Sequence, residues 1–484
     1  MSTYLYELPT TGAISFADFC VDKTASYTSN IGDATQARAN LRAALKESKR
    51  ADGDKDFLRV VKVQLHCEQV VDEYLPLLYG IKSCFDAEEI VLSSEPEFMR
   101  ARWKVFSWRS TLSASFFNAS PRQSVPSLYA DLAFTLLTYA FALSNLARST
   151  VAALGRYEHE RTISDAVRKK KDEKLNFGVS LLCRASGVFR YLSETVLPDW
   201  DKNGASAHSR PLDVTQEVIS ALAKMALADA QQLAVRKLLS KSVYDITLSP
   251  GPPLPKSHPS PSLITKLYLE CTTLYSSARA LAKTPGSSHT RAKGNGRESE
   301  DVTPALRHYL SDTADLCSSL ARKWLGVDLG ENGGAAQGGV AVAFLAWAKD
   351  DLEELRTSRR ARVSLDKERR EAHERMKDVI EEELEAINVF WKYYKKTNDS
   401  LHFQPVPPTS ELQTLIPAGR AAVAVNPFKP PAPAFGPGSV EYARHQAELH
   451  DLNSGGDDTA ENKAQDRLTA AEHNPSYAGA GSYF

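Results

Sequence analysis

Hydrophobic positions recur every three or four residues along most of the chain, which is the spacing of amphipathic α-helices. Clusters of Pro, Gly and Ser interrupt this pattern, and long helices joined by such breaks are typical of a stack of helical hairpins. The sequence shows no repeat of fixed period, which argues against a regular repeat array. We therefore predict an all-α fold with helices at 35–48, 56–84, 127–154, 164–197, 214–244, 262–283, 303–324 and 340–396, and with breaks at 120–126, 201–211, 249–261, 284–300 and 326–339.

Some stretches depart from a simple helical pattern. The last long stretch, 340–396, is predicted to form two antiparallel helices that break near 358–365, with one long helix as the alternative. The first 30 residues alternate apolar and polar positions, so we expect a short strand or extended pieces there. Residues 98–116 are rich in aromatic side chains and are predicted to be helical or mixed.

Residues 128–154 form the most apolar stretch of the chain. Asp131, Asn145 and Arg148 interrupt it, so no run reaches the roughly 18 uninterrupted apolar residues that a membrane span needs. A helix that is apolar on nearly all sides is typical of the centre of a helical stack. We predict a buried central helix in a soluble protein.

The character of the chain changes after Leu401, where prolines recur through residues 401–435. A segment so rich in proline cannot be helical, so it must lie along a surface or hang free. Residues 436–484 are acidic and have little to bury. We predict a helix at 439–452 when a partner is bound, and disorder in the rest. The chain thus divides into a domain at 1–435, which includes this Pro-rich strap, and a flexible acidic tail at 436–484.

The end of the tail contains three aromatic residues in a flexible setting, Tyr477, Tyr483 and Phe484. Because exposed aromatic side chains can anchor a partner, they are a candidate docking motif. An idle tail is the alternative interpretation.

Charge and cysteine usage exclude several classes of protein. With 59 basic and 60 acidic residues, no overall field attracts nucleic acid or an anionic membrane. The six cysteines are far apart and form no C-x-x-C pair, which fits neither a disulfide framework nor a zinc site. The first residues lack the features of a secretory signal. Together these features indicate a reducing, intracellular compartment.

No motif for catalysis stands out in the sequence. It contains no G-x-S-x-G elbow, no G-x-x-x-x-G-K-[ST] phosphate loop and no H-E-x-x-H zinc motif. The best local cluster of titratable residues is Glu158, His159 and Glu160, which we interpret as a solvated loop between helices. We therefore expect no catalytic residues, no metal and no cofactor.

Five stretches, taken together and in this order, resemble the Bro-type domain of Alix-like endosomal proteins. The resemblance runs from about residue 5 to residue 430 and implies a curved, boomerang-shaped helical solenoid with a core of tetratricopeptide-like hairpins. The stretches are 106–109 (FSWR), 133–147 in the central helix, 185–189 with 194–197, 227–232 (LADAQQ), and 398–402 with Val406 and Pro407.

The resemblance also implies a function. Bro-type domains bind the C-terminal amphipathic helix of an ESCRT-III core subunit in a groove. It places the groove positions at Ala234, Leu263 and Leu267, of which the two leucines are one helical turn apart and share a face. Plain core packing is the alternative for these residues. Ala234 stands where Alix has a large aromatic residue, which implies a shallower groove, and the insertion at 249–261 covers or extends the groove.

Alix-like proteins continue into a long coiled arm, whereas this chain stops soon after the Bro-type domain. That plan resembles a branch of fungal regulators of ambient-pH signalling. It implies a cytoplasmic scaffold, recruited through partners to the plasma membrane or endosomes, with no nucleic acid as a partner. The partners would be ESCRT-III and a pH-sensing complex with receptor-associated proteins and a calpain-like protease that activates a transcription factor. A general adaptor for endosomal sorting into multivesicular bodies and a membrane-binding helical scaffold are the alternatives.

Overall fold

Long antiparallel helices fill most of the structure, a computed structural model, and each long helix packs against the next one in chain order. The predicted helices are confirmed except that the one at 214–244 is divided by a turn at 240–242, and the stretch 340–396 is two helices rather than one. The structure describes residues 3–23, 25–51, 57–92, 106–113, 122–125, 127–160, 163–203, 210–283, 302–360 and 367–454. The helices are α1 (Thr28–Ala51), α2 (Phe57–Asp86), α3 (Leu128–Leu154), α4 (Asp165–Tyr191), α5 (Leu197–Asn203), α6 (Gln216–Leu239), α7 (Val243–Leu248), α8 (Pro261–Ala282), α9 (Pro304–Asn332), α10 (Gly338–Arg360), α11 (Lys367–Thr397), α12 (Thr409–Leu412) and α13 (Val440–Ser454).

Two small antiparallel ribbons accompany the helices near the N-terminal end. The first joins β1 (Cys20–Asp22) to β2 (Ile90–Leu92), which confirms the strand expected in the first 30 residues. The second joins β3 (Phe106–Arg109) to β4 (Arg122–Val125). The described part of the aromatic stretch 98–116 therefore contains strand, and its side chains alternate between buried and half-buried positions as a strand requires.

The central helix α3 is buried along nearly its whole length, as predicted. Its polar residues join it to other elements. Asn145 accepts a hydrogen bond from the Tyr6 backbone N–H at 2.9 Å and donates one to the Tyr6 carbonyl at 2.8 Å. By length and composition, Leu128–His159 and Gln216–Leu239 are apolar enough to cross a membrane, but 100% and 78% of their most apolar windows are buried inside the protein.

A buried cluster of polar groups forms around Asp131 at the start of α3. Its carboxylate accepts hydrogen bonds from Arg38 Nη2, from the Tyr74 hydroxyl and from Trp108 Nε1, each at 2.7 Å. Arg38 and Asp131 are 1% and 0% exposed. One carboxylate therefore joins α1, α2, β3 and α3, because a buried charge must find such partners.

The break predicted at 326–339 begins later than expected. Helix α9 continues through Gly326 and Gly330 and ends at Asn332. A Cβ atom at residue 330 would lie 2.5 Å from the Tyr394 ring of α11. Glycine is thus a packing requirement at this position, where the sequence pattern indicated a loop.

Candidate partner-binding surface

The Pro-rich strap lies along the surface of the helical stack, one of the two arrangements expected for it. We keep the name strap for residues 401–435. It crosses the helices in the reverse of their chain order, from α10 to α2. Its contacts are Leu412 with Phe344 of α10, Arg420 N–H to the Lys266 carbonyl of α8, Ala422 N–H to Gln231 of α6, Asn426 N–H to the Cys183 carbonyl of α4, and Ala434 N–H to the Pro76 carbonyl of α2.

Glycines allow this close approach of the strap to the helices. On α4, the strap N–H of Asn426 bonds the Cys183 carbonyl at 3.2 Å, and one turn later a Cβ atom at Gly187 would overlap the Asn426 carbonyl. On α2, Ala434 bonds the Pro76 carbonyl at 2.9 Å, and one turn later a Cβ atom at Gly80 would lie against Phe435. At both crossings the glycine follows by four residues the helix residue whose carbonyl accepts the hydrogen bond from the strap, and its lack of a side chain leaves room for the strap. Isolated glycines within long helices were the available sequence signal.

Replacement of Gly187 by alanine is expected to displace the strap locally while α4 stays intact. Alanine favours helix over glycine by up to about 1 kcal/mol, so any loss must come from the clash with Asn426. Faster amide exchange or proteolysis at residues 424–429, with helicity by circular dichroism unchanged, is the expected result. Gly32→Ala in α1 is the control, because nothing lies within 4 Å of that Cβ position. Equal protection of the strap in both variants would contradict the prediction.

A cleft of about 280 Å³ opens where the strap crosses α2, α3 and α4. Phe428 of the strap packs edge-on against Tyr139 and is tilted against Tyr191, with ring centroids at 6.3 and 5.2 Å. Below it, Arg184 donates hydrogen bonds to the Tyr139 hydroxyl at 2.9 Å and to Glu68 at 3.1 Å. The aromatic contacts hold the strap at this crossing, and Arg184 lines the cleft together with Tyr139.

The predicted groove positions lie on the seam between α6 and α8. Two contacts show that these helices are antiparallel. Asp229 of α6 bonds Tyr275 of α8, and Gln231, further along α6, bonds Leu267, which comes before Tyr275 on α8. Ala234 is one turn further along α6 and therefore reaches the level of Leu263. The structure thus brings all three positions to one seam.

The three positions differ in burial. Leu267 is 4% exposed and belongs to the hydrophobic core, whereas Ala234 and Leu263 are half-buried. Leu263 packs against the core from its edge. A partner at this seam would contact Ala234 and Leu263, with Leu267 beneath them. Whether a partner binds there stays a prediction.

Gln231 joins the strap to this seam, which sequence reasoning missed. Its Nε2 atom donates to the carbonyls of Leu267 at 3.4 Å and Arg420 at 2.9 Å, and its Oε1 atom accepts from the Ala422 N–H at 2.8 Å. The side-chain amide of Gln231 therefore forms hydrogen bonds with both the strap and helix α8. The stretch 227–232 pointed to a family resemblance, but nothing in its sequence assigns this contact with the strap to Gln231.

The insertion at 249–261 contacts helices on both sides of it in the chain, since Ser257 donates a hydrogen bond to Asp245 of α7 and two other contacts reach later helices. The His258 ring stacks on Trp324 of α9 with centroids 4.8 Å apart, and a Cβ atom at Gly251 would meet Val389 of α11. The hydrogen bonds beside the candidate groove, at Gln231 and Lys266, come from the strap. The strap therefore borders the seam, and the insertion ends at the start of α8, two residues before Leu263.

The surroundings of the other candidates are also visible. Among the residues that the structure describes, no group of three or more His, Cys, Asp or Glu could hold a metal ion.

The solvated loop predicted for 158–160 is wrong for Glu158, which is 8% exposed and pairs with Arg236 of α6 at 2.8 Å. The helix expected at the start of the tail is present as α13 without a partner. Tyr477, Tyr483 and Phe484 lie outside the described residues.

Comparisons with known proteins agree on one family. The family model of the BRO1-like domain matches residues 99–446. The pH-response regulator protein palC of Cryptococcus neoformans is 34% identical, with 100% of both chains covered. The palC protein of Emericella nidulans is 25% identical, with 94% of each covered, and that of Yarrowia lipolytica is 23% identical, with 88% of this chain and 94% of the relative covered.

Solved structures show the same fold. A structure of ALIX in complex with a viral late-domain peptide has a TM-score of 0.53 at 17% identity, covering 97% of this chain and 56% of the ALIX chain. A Bro1-domain structure described as the basis of endosomal targeting has a TM-score of 0.50 at 16% identity, covering 88% of this chain and 94% of the other. These likenesses confirm the predicted curved helical solenoid.

Proposed function

The chain belongs to the BRO1-like domain family and is a homologue of pH-response regulators, and from this premise we propose that it is a non-enzymatic adaptor that binds the C-terminal amphipathic helix of an ESCRT-III core subunit. The observation that carries the proposal is the α6–α8 seam. There the half-buried Ala234 and Leu263 lie above the buried Leu267. A seam between antiparallel helices can accept the apolar face of a third helix.

The small side chain at Ala234 sets the depth of the proposed groove. Because no large aromatic residue stands at this position, the α6 side of the proposed groove is shallow. Apolar side chains of the partner helix would therefore pack mainly against Leu263. Three basic residues lie near the seam, Lys237 on α6, Lys266 on α8 and Arg420 on the strap, and one acidic residue, Glu270 of α8, lies against Gly419 of the strap. A partner helix with acidic residues beside its apolar stripe would therefore be favoured.

In this proposal the chain brings ESCRT-III to the pH-signalling complex. Its partners there would be receptor-associated proteins and the calpain-like protease that activates the transcription factor, at the plasma membrane or at endosomes. The alternative, a general endosomal-sorting adaptor, is supported by the Bro1-domain structure linked to endosomal targeting. The match to a pH-response regulator along the full length of both chains favours the signalling role.

The test is titration of the labelled C-terminal helix of the ESCRT-III core subunit against the full chain and its Leu263→Asp variant. We expect saturable micromolar binding by the wild type and at least about tenfold weaker binding by the variant, because a carboxylate would be buried against the partner's apolar face. Leu267→Asp is unsuitable, since that carboxylate would enter the core and lower stability.

Leu449→Asp is the matched control, because Leu449 is 42% exposed on α13. It should bind like the wild type, and thermal unfolding should show that both variants are folded. If the folded wild type does not bind, or if Leu263→Asp binds as well as Leu449→Asp, the groove assignment fails.

A further inference from the structure

Phe403 follows the end of helix α11 and has an unusual backbone conformation. Its φ angle is +49°, in the left-handed region that residues with a Cβ atom rarely adopt. Its side chain is 75% exposed, so burial of the ring does not compensate for the strain. A strained residue persists only where the surrounding structure determines it, and such residues cluster at functional sites.

The turn that holds Phe403 outward is fixed from the inside. A single π-helical turn, Asn398–His402, continues α11, and the Phe403 N–H bonds the Asn398 carbonyl at 2.7 Å. The Asn398 side chain is buried. Its Oδ1 atom accepts from the Gln404 N–H at 3.2 Å, and its Nδ2 atom donates to the Gln404 carbonyl at 2.9 Å. With residues 398 and 404 joined in this way, the chain between them must turn outward at Phe403.

Other apolar side chains are exposed at the same end of α11. Leu401 is 72% exposed, Val406 53% and Tyr393 51%. With Phe403 they place four large hydrophobic side chains on the surface within fourteen residues of chain. We name residues 392–406 the α11 tip.

The charges of the α11 tip are mainly positive. Lys392, Lys395 and Lys396 are exposed, and the one acidic residue, Asp399, pairs with Lys395 at 2.9 Å. The chain as a whole carries a formal charge of −1, so this positive character is local. Lysines beside protruding aromatic and aliphatic side chains are typical of segments that lie in the interface of an anionic membrane.

We propose that the α11 tip docks on an anionic lipid surface. Phe403 and Leu401 enter the boundary between headgroups and acyl chains, and the lysines contact the negative headgroups. This goes beyond the proposed adaptor function, because it gives the chain a membrane contact of its own, separate from the α6–α8 seam. The fixed turn reduces the ordering cost of binding, since Phe403 is already held outward.

The test is co-sedimentation of the full chain with phosphatidylcholine vesicles, with and without phosphatidylserine. We expect binding that depends on phosphatidylserine and weakens with added salt. Phe403→Asn should bind about tenfold less, as expected when one phenyl ring no longer leaves water. Asparagine tolerates the left-handed conformation, so this variant should be at least as stable as the wild type.

Phe177→Asn is the matched control, because Phe177 is 50% exposed on α4, away from the α11 tip. It should bind like the wild type. Lys392→Glu with Lys396→Glu should abolish the dependence on phosphatidylserine. If the wild type binds no vesicle, or if Phe403→Asn binds as the control does, the proposal is overturned. Loss of a protein partner by Phe403→Asn without any vesicle binding would overturn it in favour of a protein site.

Discussion

Replacement of Arg38 by methionine is expected to lower the free energy of unfolding by about 3–5 kcal/mol. The change leaves the Asp131 carboxylate buried without its cation, while Tyr74 and Trp108 still donate to it. It also removes the Arg38 hydrogen bonds to Thr11 Oγ1 at 2.6 Å and to the Gly12 carbonyl at 2.9 Å. Urea unfolding followed by circular dichroism measures the loss.

The matched control for Arg38 is an exposed ion pair. Arg190 and Glu194 are 57% and 58% exposed, so Arg190→Met should cost less than about 1 kcal/mol. The double variant Arg38→Met, Asp131→Asn should be more stable than Arg38→Met alone, because it removes the uncompensated charge. Equal costs for Arg38→Met and Arg190→Met would show that the cluster around Asp131 does not hold the N-terminal elements together.

Asp229 is expected to make stability fall as pH rises. Burial raises the pKa of its carboxyl group from 3.8 to about 7, and the hydrogen bonds from Tyr275 and Tyr309 oppose this rise only in part. Between about pH 4 and pH 7 the folded state holds a proton that the unfolded chain has lost. Titration of Asp229 therefore lowers the free energy of unfolding progressively across that window, by up to about 4 kcal/mol in total. Above about pH 7 this contribution no longer changes with pH.

The variant Asp229→Asn removes this titration while its side-chain oxygen can still accept from the two tyrosines. We expect the variant to gain stability relative to the wild type as pH is raised from 5 to 8, measured by urea unfolding at several pH values. Asp33→Asn, at an exposed position on α1, should change stability little at either pH. A difference between Asp229→Asn and wild type that does not change with pH would contradict the assigned titration.

Hydrophobic spacing predicted the long helices well because each of them buries one face against its neighbours. The same reasoning could not assign roles to polar residues inside apolar helices. In the sequence Asp131 and Asn145 are only interruptions of an apolar stretch, whereas in the fold they bind Arg38 and the Tyr6 backbone. Their partners are about 90 and 139 residues away in sequence, beyond any local pattern.

Glycine was ambiguous for a related reason. At Gly330 the sequence suggested a loop, and the structure contains a helix that needs the space for Tyr394. The candidate groove was located by family resemblance, but burial separates its members. Leu263 and Leu267 share a helix face, and only the depth of packing, which no spacing encodes, places Leu267 in the core.

The path of the strap has a consequence for folding. In a solenoid each helix contacts mainly its neighbours, so local unfolding can begin at either end and spread independently. Here the last part of the domain bonds to α8, α6, α4 and α2 in succession. Those contacts join residues up to about 358 positions apart, such as Pro76 and Ala434, which raises the contact order. The strap can dock only after the helices beneath it have formed, and once docked it makes them unfold as one cooperative unit.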